Sequence, residues 1–108
     1  MEILNNSAFD SFYSQVIDAC KVGNIAVLSS VSDGNAILNE IEKFGESPLV
    51  VACQYGHIGI VRHILQHEFY VIDPQILAKA ASVSKESGED QIRSLLTLYY
   101  IKYCRYSA

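Results

Sequence analysis

Shifted by 33 residues, the chain lies on itself: Val16 falls on Leu49, Ala19 on Ala52, Cys20 on Cys53, Gly23 on Gly56, Ile25 on Ile58 and Leu28 on Val61. Self-similarity at such a period constrains the fold more than any other feature, because it makes one supersecondary unit recur, each too small to bury its own apolar face. The clearest copy runs from Gly45 to Leu65. Ser47 can cap the first free amides, Pro48 suits the first helical position, and Gly56 supplies a left-handed stop, which together predict a helix over 48–55. His57 restarts the chain, and Ile58, Val61, Ile64 and Leu65 give a second helix an apolar stripe. Two short antiparallel helices of this kind must stack on neighbours.

The first copy reads the same way. Phe12, Val16, Ile17, Ala19 and Cys20 share a face up to Gly23. Residues 1–9 read as a lead-in that the helix partly absorbs, with Asn5, Ser7 or Asp10 as candidate caps. Gln15 stands where the second copy has Pro48, so this helix is free to start earlier. Gly34 is the expected left-handed end of the second helix. From Ala36 to Phe44 the local pattern scores as a helical turn after an Asn35 cap.

Beyond Leu65 the register slips, and Asp73-Pro74 supplies a fresh cap and first-turn proline. Leu77, Ala80 and Ala81 match Leu49, Ala52 and Cys53 at a shift of 28, and Ile92, Leu95 and Leu96 match Val61, Ile64 and Leu65 at a shift of 31. The link is therefore shorter by five residues (33 − 28), and the inter-helix turn, expected around Ser84 to Asp90 with Gly88 at its left-handed point, is longer by three (31 − 28). The last helix is expected from Asp90 to about Tyr103. It carries one stripe of Ile92, Leu95, Leu96, Tyr99, Tyr103 and Tyr106 and a second of Leu98, Ile101 and Cys104. A two-sided helix at the end of a stack points to self-association or to a longer parent chain.

Gly45, Ser47-Pro48-Leu49, Ala52, Gly56-His57, Ile60-Val61 and Leu65 fall in register with the ankyrin repeat, and the chain resembles that family. Ser47 replaces the usual Thr, and Val50 stands where the family has His. The resemblance implies an all-α, ankyrin-like α-solenoid of about three stacked helix-turn-helix repeats, near 8–34, 42–68 and 73–106, forming a single domain over 1–108. It also places an extended finger over 36–44, which it favours over the helical turn, with Asn39 and Gly45 in the family's positions. For function it implies a protein-protein interaction module whose concave face holds the partner. Carried over by position, that face is Lys43, Phe44 and Glu46 at the finger tip, Gln54 and Tyr55 on the following helix, Lys21 and Val22 in the first repeat, and Ser82 and Val83 in the third. Phe44 and Tyr55 are the expected aromatic anchors.

Charge and composition exclude several alternatives. The formal net charge of −4 leaves no clustered cations for phosphate, so nucleic acid is not expected as a partner. The N-terminal stretch lacks a secretory pattern, and no apolar run is long enough for a bilayer, so a cytoplasmic protein with no membrane partner is expected. Richness in Ile, Asn and Tyr fits an AT-rich genome such as that of a parasite, virus or intracellular bacterium, with a host-cell cytosol as one destination. Cys20 and Cys53 occupy matching places in stacked helices about 8 to 10 Å apart, beyond the roughly 7 Å reach of a disulfide, and read as buried core.

Chemical motifs are weak. His63 and His67 are one helical turn apart, a metal spacing, but further ligands are lacking and exposed outer-helix histidines are expected. Cys53 and His57 are four apart with a helix end between them, so His57 is expected to brace the turn rather than serve catalysis. Ser82-Val83-Ser84-Lys85 matches a serine-acylase pattern without its companion motifs. Gly34, Gly45, Gly56 and Gly59 are too scattered to cradle a phosphate. Lys102, Arg105 and the tyrosines around them suit a capping helix better than a stacking patch for single strands. No catalytic residue, metal or cofactor is expected, and the partner is a protein.

Overall fold

The computed structural model describes the backbone of residues 2–67, 70, 71, 73–87 and 90–104, and the side chains of 10–43, 45–67, 70, 71, 73–85 and 90–102. Among the described residues the chain is all-helical: α1 Glu2–Val22, α2 Ile25–Ser32, α3 Ile37–Phe44, α4 Pro48–Tyr55, α5 Ile58–Leu65, α6 Pro74–Ser87 and α7 Asp90–Tyr99, followed by a π-helical turn Tyr100–Cys104. No helix among them is long and apolar enough to cross a membrane.

The helices pair as hairpins α1/α2, α4/α5 and α6/α7, and α4 packs between α1 and α6 while α5 packs between α2 and α7. The result is an inner layer of α1, α4 and α6 backed by an outer layer of α2, α5 and α7. A molecule of 42 × 31 × 20 Å is two helices thick along its shortest axis. The internal repeat predicted this pairing, and the buried positions follow it. Val16, Ala19 and Cys20 on α1, Leu49, Ala52 and Cys53 on α4, and Leu77 and Ala80 on α6 are all buried, because each inner helix turns the same face to the layer behind it.

The repeat is also visible in backbone hydrogen bonds. Asn24 N–H donates to the Ala19 carbonyl at 2.9 Å, and His57 N–H to the Ala52 carbonyl at 3.0 Å, the same bond one repeat later. Gly23 and Gly56 sit between these ends with φ of 80° and 78°, the left-handed conformation that glycine adopts without a side-chain clash. At the start of α4, Ser47 Oγ accepts from Val50 N–H at 3.4 Å. Helix α4 thus begins at Pro48 and ends at Tyr55 as predicted.

Four local expectations are corrected. Residues 37–44 form helix α3 and not the extended finger: Asn35 Oδ1 accepts from Ile37 N–H at 2.9 Å, and Leu38 and Ile41 are buried. The lead-in is absorbed into α1 from Glu2, so Asn5, Ser7 and Asp10 stand within the helix and not at its start. Helix α6 runs on to Ser87, through the expected polar turn, because Ser84 Oγ bonds back to the Ala80 carbonyl at 2.8 Å and is buried. Gly88 lies outside the described residues. The last helix is regular only to Tyr99 before it widens into the π-helical turn.

Candidate binding surface

The inner layer exposes little of α4. Pro48 through Cys53 are buried, and Gln54 and Tyr55 are its only open positions. One helix away, α1 ends on Lys21, half-buried, and Val22, exposed. The two helix ends lie side by side because His57, just past α4, reaches back to the Lys21 carbonyl with Nε2 at 2.9 Å. A carbonyl only accepts, so Nε2 carries the proton of this bond. His57 therefore braces the turn as expected, but it does so by joining two hairpins. Val22 is 71% exposed and Tyr55 51%, so two apolar side chains at equivalent repeat positions stand open on neighbouring helices.

Helix α6 contributes Ser82, exposed, and Val83, half-buried. They lie in mid-helix and not at a helix end, a consequence of the longer α6. Lys43 and Glu46 are exposed at the other end of α4, where α3 leads into it. An eight-residue helix is about 12 Å long, so these two residues are separated from Gln54 and Tyr55 along the axis. Lys43 pairs with Glu40 at 4.0 Å on the surface, a contact worth little. The Phe44 side chain lies outside the described residues. Of the predicted face, the His57 bond brings the end of α1, which carries Lys21 and Val22, to the end of α4, which carries Gln54 and Tyr55. The structure leaves Lys43 and Glu46 apart.

Two contacts missed in the sequence fix the approach to α4. Tyr13 OH accepts from Glu46 N–H at 2.8 Å, and a Cβ on Gly45 would run into the Tyr13 ring. Gly45 is thus required by the close approach of α1, its backbone being extended. Glu42 on α3 accepts from Ser47 Oγ at 2.8 Å and from Tyr70 OH at 2.5 Å, which ties α3 both to the cap of α4 and to the link before α6. Burial raises the Glu42 carboxyl above its usual range, although the hydrogen bonds from Tyr70 and Ser47 oppose this. Burial likewise pushes the Tyr70 phenol up, so it stays a donor at neutral pH. The only sequence signal for Glu42 was its place on the polar edge of an amphipathic turn.

The remaining reactive groups are committed to packing. Burial pushes the Cys20 thiol up to about 12 and the Cys53 thiol up to about 11, so neither supplies a thiolate at neutral pH. Both are free and buried, as the sequence implied. The expected exposure of His63 and His67 is corrected: both are half-buried, and His67 Nε2 donates to the Ser32 carbonyl at 2.7 Å. Among the described residues no three of His, Cys, Asp and Glu gather as a metal ion would require. On α7, Leu98 is 64% exposed and Ile101, in the turn after it, 39%; Leu98 edges an open hollow shared with Asp90, Arg93, Ser94 and Thr97.

Comparison with known proteins adds one likeness. A 56-residue stretch is 32% identical to the BTB/POZ domain-containing protein 3 of Schizosaccharomyces pombe; it makes up 51% of this chain and 11% of that protein. The chain thus matches only about a tenth of the length of that curated relative. No protein-family model matches the sequence, and no solved structure matches the chain.

Proposed function

We propose that the chain is a non-catalytic protein-binding module, an ankyrin-like α-solenoid of about three stacked hairpins that takes a protein partner on its inner layer. The observation that carries this reading is the open pair Val22 and Tyr55, side by side at equivalent positions of α1 and α4. Exposed apolar side chains next in sequence to the polar Lys21 and Gln54 have the make-up of a binding hot spot, an anchor beside a polar rim. Lys43 and Glu46 orient the partner at the far end of α4, and with Phe44 they form the second, smaller contact.

A Val22→Ala, Tyr55→Ala double variant should keep its fold and lose about 2 kcal/mol or more of affinity for a partner captured from cytosolic lysate. Calorimetric titration measures this, and equal affinity for wild type and variant would move the site elsewhere. A second reading, an accessory targeting module inside a larger enzyme or host-directed effector, draws support from the short share of the yeast protein that the matching stretch occupies. Cytoplasmic localisation, a host-cell cytosol included, belongs to both readings. Leu98 and Ile101 form a separate surface for self-association. Changing both to Glu should abolish any concentration dependence in sedimentation, and an unaltered profile would refute that role.

A further inference from the structure

The chain has three histidines, His57, His63 and His67, and all three lie on or beside α5. Two of them join the first hairpin to the second. His57 Nε2 binds the Lys21 carbonyl at the end of α1, and His67 Nε2 binds the Ser32 carbonyl at the end of α2. Between them in the chain sits His63, whose Nε2 is buried and has no hydrogen-bond partner among the described residues. Its ring centroid is 6.2 Å from that of His67, edge to face.

His57 and His67 each donate from Nε2 to a carbonyl across the seam. A charge on His63 puts a buried N–H where no acceptor stands among the described residues, which is unfavourable. The surroundings do little to compensate. Asp33, at the end of α2, favours the charged form of His63, whereas desolvation and His67 disfavour it and prevail. Arg62 on α5 and Asp90 and Arg93 on α7 are exposed, and the titratable groups of α4 are the buried Cys53, bonded to Ser84 on α6, and the exposed Tyr55.

We propose that the seam between the first two hairpins is an acid-sensitive hinge: protonation of the buried His63 loosens α1/α2 from α4/α5, while the seam to the third hairpin stays closed. Neutral His63 is the form the closed seam accepts. The seam is therefore firm above the ordinary histidine value near 6.5 and loosens as pH falls below it.

Amide hydrogen exchange of the full chain tests this at about pH 7.5 and about pH 5.5, the interval in which histidine titrates. After correction for intrinsic rates, amides of α2 should open more at the lower pH, by up to about tenfold, the most that one linked proton gives per pH unit. Amides of α6 should not change. His63→Leu should remove the pH response of α2, and His63→Gln, of similar polarity and no charge, should do the same where Leu proves disruptive. Equal acceleration in α2 and α6 would overturn the hinge, as would a pH response that survives both substitutions.

Discussion

The two seams of the molecule are built differently. Between the first and second hairpins, side chains grip backbone across the gap: His57 on the Lys21 carbonyl, His67 on the Ser32 carbonyl, and Glu46 N–H on the Tyr13 hydroxyl. Between the second and third, α4 and α6 pack with buried side chains on both helices, and Cys53 on α4 shares a side-chain hydrogen bond with Ser84 on α6. Further polar ties run from α3 to the link, where Asn39 Oδ1 accepts from Val71 N–H at 2.9 Å and Glu42 accepts from Tyr70 OH. The cause is repeat length. At a spacing of 33 the helix ends of neighbouring hairpins come level, so one side chain spans from turn to turn. Helix α6 has 14 residues against 8 in α4, about 9 Å more helix. Lys85, which a shift of 28 lays on His57, is therefore still inside a helix and points to solvent. Regular spacing lets one side chain staple turn to turn; the slipped register leaves its polar ties within the helices and at the link.

The largest effect is expected where both seams share a floor. Leu49 is fully buried on the central helix, and Leu49→Ala should cost about 2 to 5 kcal/mol by emptying a site that neither neighbour can refill. Chemical denaturation should show one cooperative transition at lower denaturant. Survival of one seam, seen as a second transition, would mean that the hairpins are more independent than their shared core implies.

A smaller and more selective effect separates the staple from the turn. Gly23 and Gly34 both have left-handed backbones, φ of 80° and 70°. A Cβ on Gly34 meets nothing, whereas on Gly23 it would stand 2.8 Å from Nδ1 of His57. Gly34→Ala should cost about 1 to 2 kcal/mol, the strain of the left-handed residue alone. Gly23→Ala should cost more, because it also displaces His57 from the Lys21 carbonyl. Thermal melts of the two variants compare them directly, and equal losses would show that the His57 staple contributes nothing.

How far the sequence reaches follows the same division. Both ends of α4 were legible because Ser47, Pro48 and Gly56 each act on their own backbone, and the left-handed Gly34 was legible for the same reason. Helix α3 was not. Asn39 and Gly45 fit a finger and a helix equally, and what settles the helix is tertiary: Leu38 and Ile41 buried, and Glu42 held by Ser47 and by Tyr70, 28 residues away. The end of α6 misled because serines usually mark turns, yet Ser84 closes a bond onto its own helix and packs near Cys53. Of the proposed binding surface, Tyr55 and Val22 were named through the positions that the ankyrin resemblance carries over, and both are exposed. That Lys43 and Glu46 stand apart from them depends on the length of α4 and the path of α3, which spacing alone does not carry.

The smallest effect sharpens the contrast through pH, because burial acts with opposite sign at the two seams. His63 is held below its ordinary value, so acid weakens the first seam. Glu42 is held above its ordinary 4.5, so the folded chain keeps that proton more tightly than the unfolded one. Its contribution is present at acid pH and is lost as pH rises from about 4.5 through the raised value. Glu42→Gln removes the charge but keeps a carbonyl oxygen to accept from Ser47 and Tyr70. At neutral pH the change should stay within about 1 kcal/mol, the scale of exchanging one hydrogen-bond acceptor for another. The variant should also lose the part of the pH dependence that wild type shows just above 4.5. Melting curves across that interval decide the point. A loss of several kcal/mol at neutral pH would mean that the ionised carboxylate, and not merely an acceptor, holds α3 to the cap of α4 and to the link.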